Sequence, residues 1–227
     1  MAYIGAAVLI EKASLDKIPP NVVRVSREEA LQMQLETIYN WKPQIDIWPL
    51  RYGPMVLSAL AGISTITIMN RCRNIVKLKT YGRFSMFLPT VFFPSLFCPL
   101  LHNQYVMPRI LLNEDCPVCT QTRAMILQCV SSVFYPLILS PIGSFYYAMV
   151  GGSYNVPPLE RKYLPELLKL WWTMVYKLRT NIKTLLGINA IIVSGLTYLE
   201  AKSFYNIQEK IYQDDKRFQE KLDLSYD

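Results

Sequence analysis

Asp115-Cys116-Pro117-Val118-Cys119-Thr120-Gln121-Thr122-Arg123 runs straight into Ala124–Val150, 27 residues without a charge, and no ionised side chain follows until Glu160. About 20 apolar residues suffice to carry a helix across a hydrocarbon core roughly 30 Å thick. The stretch therefore decides the fold: the chain is a membrane protein, and a Cys-x-x-Cys pair stands at the mouth of one span.

The same test works outward along the chain. Uncharged runs also cover Tyr52–Asn70, Phe84–Pro108 and Thr184–Leu199, and the third run extends to Leu159. Four such gaps in 227 residues, 52% of them hydrophobic, predict an all-α membrane protein with four transmembrane helices. The fourth run is short, roughly 24 Å at the helical rise, and needs Lys183 and Lys202 to snorkel outward. Three regions follow: a polar and amphipathic N-terminal segment over 1–50, a four-span domain over 51–199, and a polar helical tail over 200–227.

Charge between the spans orients them. Loop one carries Arg71, Arg73, Lys77, Lys79 and Arg83 with no acid; loop three carries Arg161, Lys162, Lys169, Lys177, Arg179 and Lys183 against Glu160 and Glu166. Loop two is balanced, and the two tails together hold 11 basic and 13 acidic residues. The positive-inside rule then puts loops one and three inward, with both tails and the Cys116/Cys119 loop on the outer side. Met1–Ile10 is apolar but short, lacks a basic flank and is followed by Glu11, so it does not read as a signal peptide; Asp16, Glu28 and Glu29 argue against an Arg-rich presequence. No Asn-x-Ser/Thr acceptor occurs.

Within these regions the pattern is helical. Ser26 with Glu29 has the capping-box spacing, Leu31, Leu35 and Ile38 share a face, and Pro43 closes the element. Trp48 and Arg51 mark entry into the bilayer. Ser140, Ser144, Ala148 and Gly152 recur every four residues, as Ser58 and Gly62 do in the first span and Ala190 and Ser194 in the fourth. Such small faces let backbones approach where no hydrophobic effect drives helices together. Pro89, Pro94 and Pro99 are expected to kink the second span. Between spans three and four, Lys169 and Lys177 oppose a side bearing Trp171, Met174 and Leu178, which predicts an amphipathic helix lying in the interface, with Trp171 and Trp172 as anchors and the lysines towards anionic lipid. Phe204, Ile207 and Ile211 keep a helical stripe beyond Glu200, so the tail reads as a continuation of the fourth span.

Three readings of Cys116 and Cys119 compete. A structural zinc site needs four ligands, and the chain offers one histidine, His102, and no second cysteine pair. A thiol–disulfide exchanger places Cys-x-x-Cys at a helix start, but no βαβ pattern surrounds this one. A structural disulfide or a local turn is the favoured reading. No Gly-rich phosphate loop or Ser-His-Asp set occurs, no nucleic-acid motif is evident, and no cofactor is expected. No Asp, Glu, Lys or Arg is expected inside a span, which disfavours a small-solute carrier. The pattern is not that of an enzyme.

Asp115-Cys116-x-x-Cys119-Thr120-x-Thr122-Arg123, leading into a helix that contains Tyr135-Pro136, resembles the transmembrane protein 126 family of the mitochondrial inner membrane. The likeness is most specific over Asp115–Pro141 and extends by span order and basic loops over roughly Arg51–Leu199. It implies a multi-pass, non-enzymatic factor for the assembly of respiratory complex I. Its implied partners are membrane-arm subunits of that complex and other complex I assembly factors. An intermembrane-space thiol oxidoreductase using Cys116 and Cys119 is the alternative from a different class.

Overall fold

The computed structural model describes residues 25–158 and 160–226. Met1–Ile10, Glu11 and Asp16 lie outside the described residues. Four helical segments, of 32, 29, 35 and 54 residues, are long and apolar enough to cross a membrane. Among the described residues there is no strand.

Helix α1 (Arg27–Asn40) opens on the expected capping box: the Ser26 hydroxyl accepts from the Glu29 N–H, and Glu29 reaches back to the Ser26 N–H. A 3-10 turn, Gln44–Ile47, leads into α2 (Trp48–Ile75), the first span. The second span is α3 (Arg83–Phe87), a π-helical turn over Leu88–Phe92, and α4 (Phe93–Tyr105), after which α5 (Met107–Leu111) turns the chain. The third is α6 (Pro117–Cys129), a π-helical turn over Val130–Phe134, and α7 (Tyr135–Gly151). A 3-10 turn, Arg161–Tyr163, precedes α8 (Leu164–Tyr226). At 63 residues, α8 is ~95 Å long, about three hydrocarbon cores.

The prolines explain the π-turns. Val91-Phe92-Phe93-Pro94 and Val133-Phe134-Tyr135-Pro136 are near copies, and a second proline follows five residues on in each, Pro99 and Pro141. In both spans the helix widens by one residue just before the first proline: Phe93 N–H bonds Leu88 O and Tyr135 N–H bonds Val130 O. Each proline also leaves a carbonyl without its helical donor, and in lipid such a carbonyl needs another. In the widened turn Pro89 O would face the nitrogen of Pro94; the Tyr135 hydroxyl donates to it instead, at 3.0 Å. Pro99 frees Ser95 O, which accepts from the Ser58 hydroxyl at 2.6 Å. Pro141 frees Leu137 O, which accepts from the Trp171 indole at 3.3 Å. The carbonyls freed by these prolines thus become docking points between spans.

Helices α2 and α8 run antiparallel along the whole of α2. Gly53 meets Glu200, Ser64 bonds Asn189, and Cys72 and Val76 share a buried cluster with Met174 and Leu178. The stretch expected as a separate interfacial helix is therefore the opening of α8. Nothing between Leu164 and Leu199 breaks the helix after Pro165, and the apolar side of the stretch is covered by the end of α2 and by Phe145 and Ala148 of α7.

The bundle has two distinct poles. At one, α1, loop two and the far half of α8 interlock through Arg27–Glu114 at 2.6 Å, Tyr205–Asn113 at 2.9 Å and a Lys210–Asp46 pair, over buried Ile38, Ile47, Leu111, Phe204 and Ile207. At the other, loop one meets loop three: Ser153 donates to Val76 O, and the Tyr81 and Tyr147 rings lie edge to face. Arg73, read from sequence as a loop cation, is buried in the last turn of α2, where it donates to Lys79 O and Tyr81 O at 2.9 and 2.8 Å. It ties the loop down, while Arg71, Lys77, Lys79 and Arg83 stay exposed.

Candidate functional site

The cysteine motif occupies the first two turns of α6. Cys116 is the N-cap, in extended conformation, and its sulfur accepts from the Cys119 N–H at 3.2 Å; Pro117 takes the first helical position, where its missing N–H costs nothing. The two cysteines form a disulfide, with Cα atoms 5.3 Å apart, and both are exposed. Asp115 immediately before them receives the Arg109 and Arg123 guanidinium groups, the second at 3.0 Å. Hydrogen bonding from Arg109, with the charges of both arginines, holds the Asp115 carboxyl below the usual carboxylate range. Arg123 thus acts as a brace on the loop, whereas Thr122 bonds back to Val118 O within the helix. Beside Cys119 a shallow groove is lined by Val118, Thr122, Arg123, Ile126 and Leu127.

Sequence reasoning missed the polar seam inside the bundle. Asn189 is fully buried and uses all four of its hydrogen-bonding positions: its amide donates to Ser64 Oγ and Leu185 O, and its carbonyl accepts from Ser132 Oγ and Gln128 Nε2. Gln128 also donates to Leu57 O and accepts from the Cys98 thiol. One turn beyond Cys98 on α4, His102 Nε2 lies 3.0 Å from Glu200 Oε2 and 3.2 Å from Oε1. Both side chains are buried, Glu200 completely. Glu200 thereby corrects the expectation that no Asp, Glu, Lys or Arg lies inside a span. Glu200 looked like the first residue beyond the fourth span, but the antiparallel register with α2 carries it inward to Gly53, where the absent side chain makes room for its carboxylate. A weak signal existed: His102 sits one turn after Cys98 in the second span, and an intramembrane histidine calls for a partner.

Other expected residues are distributed as follows. Ser140, Ser144 and Ala148 are fully buried within the bundle. Gly152 does a different job: at φ +60° it ends α7 in the left-handed conformation, with nothing near where a Cβ would stand. Trp48 is exposed at the start of α2, at the cysteine pole, whereas Trp172, Lys169 and Lys177 are exposed on the first turns of α8. Trp171 is half-buried and occupied with Leu137 O. Among the described residues no three His, Cys, Asp or Glu side chains converge to hold a metal ion.

The family model described as Transmembrane protein 126 matches residues 29–217. A Drosophila melanogaster protein named Transmembrane protein 126 is 30% identical over 213 residues, covering 93% of this chain and 95% of the fly protein. No solved structure matches. The matched region takes in α2 to α7, both π-turns, the cysteine motif and nearly all of α8, and the chain belongs to the transmembrane protein 126 family.

Proposed function

We propose that this chain is a scaffold of the mitochondrial inner membrane that holds membrane-arm intermediates of respiratory complex I together with other assembly factors. Family membership carries the reading, since the motif resemblance implies that role. Two features of the bundle agree with a scaffold. The seam of Gln128, Asn189, Ser64 and Ser132 spends its polar groups on one another, which leaves little for a passing solute. Large apolar side chains, among them Phe84, Phe92, Leu96 and Leu100, stand outward on the second span, a face that suits lipid and membrane-embedded protein alike. The cysteine pole faces the intermembrane space in this reading and the cationic loops face the matrix, as the positive-inside rule directs.

Depleting the protein is expected to lower assembled complex I and to accumulate membrane-arm intermediates on native gels. Normal complex I in a clean knockout would refute the role. For orientation, a membrane-impermeant maleimide applied to mitoplasts is expected to label a cysteine placed at Val118 and to miss one placed at Lys79.

A further inference from the structure

We infer that Cys116–Cys119 is an exchange-competent disulfide that accepts two electrons from a dithiol borne on an apolar segment of another polypeptide. The scaffold reading leaves this pair without a task, and its stabilising value is small. A disulfide between residues three apart closes a very short loop, and the entropic gain of a cross-link rises with loop length. The turn it would fix is already held by Pro117, by the Cys119 N–H on the N-cap sulfur and by the Asp115 brace.

The surroundings favour exchange in a defined direction. Both sulfur-bearing residues are exposed, whereas Cys72 and Cys98 are buried and Cys129 is half-buried. The groove starts at Cys119 and runs two turns along α6, with Val118, Ile126 and Leu127 as its apolar lining, Val118 70% and Ile126 58% exposed, and Thr122 and Arg123 as its polar edge. An apolar segment seated there presents its cysteine to Cys119. Its thiolate attacks Cys119 Sγ, the Cys116–Cys119 bond breaks, and the electron pair leaves on Cys116. That thiolate sits at the N-cap of α6 with the Cys119 N–H already aimed at it, which stabilises the leaving group. The second thiolate of the segment then attacks the segment's own sulfur in the mixed disulfide and expels Cys119 as thiolate. The segment leaves as a disulfide; two electrons remain on the pair, and the two thiol protons end on Cys116 and Cys119. A low-molecular-weight disulfide, such as oxidised glutathione, restores the starting state by the reverse exchange.

The test uses the full chain in lipid nanodiscs. After oxidised glutathione and gel filtration it should show three free thiols of its five cysteines. Mixed with a reduced Cys-x-x-Cys peptide flanked by leucines, it should form one peptide disulfide for each two new protein thiols. The rate should be at least tenfold that of an oxidised linear peptide with the sequence of residues 113–123. Cys129→Ser should match the wild type. Ile126→Asp should lower the rate with the leucine-flanked peptide at least fivefold relative to the rate with dithiothreitol. A Cys116→Ser variant should be captured as a mixed disulfide at Cys119 by the peptide activated with nitrothiobenzoate. A rate no faster than the linear peptide, or five free thiols after oxidation, overturns exchange; an unchanged rate ratio in Ile126→Asp overturns the groove. Normal complex I in cells carrying Cys116→Ser with Cys119→Ser would leave the scaffold reading intact, so the two readings fail separately.

Discussion

Gly53→Ala tests the buried carboxylate directly. A methyl group built at Gly53 overlaps Glu200 Oε1 and stands 3.4 Å from Glu200 Cδ and 3.5 Å from Leu196 Cδ2. The two carbon contacts are ordinary; the oxygen must move. It moves at the expense of the His102 bonds, 3.0 and 3.2 Å long, in a site where neither partner meets water. Leaving a buried polar group unsatisfied costs about 1–3 kcal/mol, and overpacking a core adds a similar amount. Against this, alanine is favoured over glycine inside a helix by roughly 0.5–1 kcal/mol. The net destabilisation is therefore about 1–5 kcal/mol. Gly187 and Gly195 on α8 have open space where a Cβ would stand, so alanine there should be neutral or mildly stabilising. The assay is reversible unfolding in mixed detergent micelles, run as a cycle with Glu200→Ala. Removing the carboxylate removes the clash, so Gly53→Ala in that background should behave like Gly195→Ala. An equal cost in both backgrounds, or a stabilising Gly53→Ala in the wild type, would refute the close approach of Glu200.

Three further outcomes follow from the packing. Ala148→Leu, at a fully buried position on α7, should cost roughly 1–3 kcal/mol by overpacking and lower steady-state abundance, whereas Ile138→Leu, on an exposed face, should not. Trp171→Phe keeps the ring but leaves Leu137 O without its donor; a loss of about 1–2 kcal/mol is expected, and Pro141→Ala, which restores a backbone donor, should recover much of it. Asp115 titrates below its unfolded value because of Arg109 and Arg123. Its contribution to loop order is thus present above about pH 4 and lost as pH falls through the folded value. Protection of residues 113–120 in hydrogen exchange, corrected for intrinsic rates, should fall below pH 4 in the wild type and show no such step in Asp115→Asn.

Span number and type were legible because they rest on one property, the length of uncharged chain, which needs no tertiary information. The capping box at Ser26 and the break at Pro43 were legible for the same reason: their partners lie within three residues. What the sequence could not disclose was register. Glu200 was assigned to a tail because charge ends an apolar run, yet its burial depends on a residue 147 positions earlier having no side chain. Gln128 and Asn189 look like ordinary polar interruptions until α6 and α8 are laid side by side. Trp171 fits an interfacial pattern equally well until Pro141, on another helix, leaves a carbonyl in need of a donor.

The paired prolines bear on why the bundle can be specific without a hydrophobic drive between its helices. Lipid competes with any apolar contact on equal terms, so two spans recognise each other only where leaving lipid satisfies something lipid cannot. A proline makes such a need at a fixed position, an orphan carbonyl, and the partner that meets it must arrive in one register. Here Ser58 meets Ser95 O, Tyr135 meets Pro89 O and Trp171 meets Leu137 O. These join the first span to the second, the third to the second and the fourth to the third. Moving any of the three donors by one residue would rotate it about 100° around its helix and away from its acceptor. The prolines that weaken each helix alone thus act as register marks for the assembled four. On the same logic the cysteine pole, held by Arg27–Glu114 and the Asp115 brace outside the spans, is positioned by a bundle whose own register is fixed inside the bilayer.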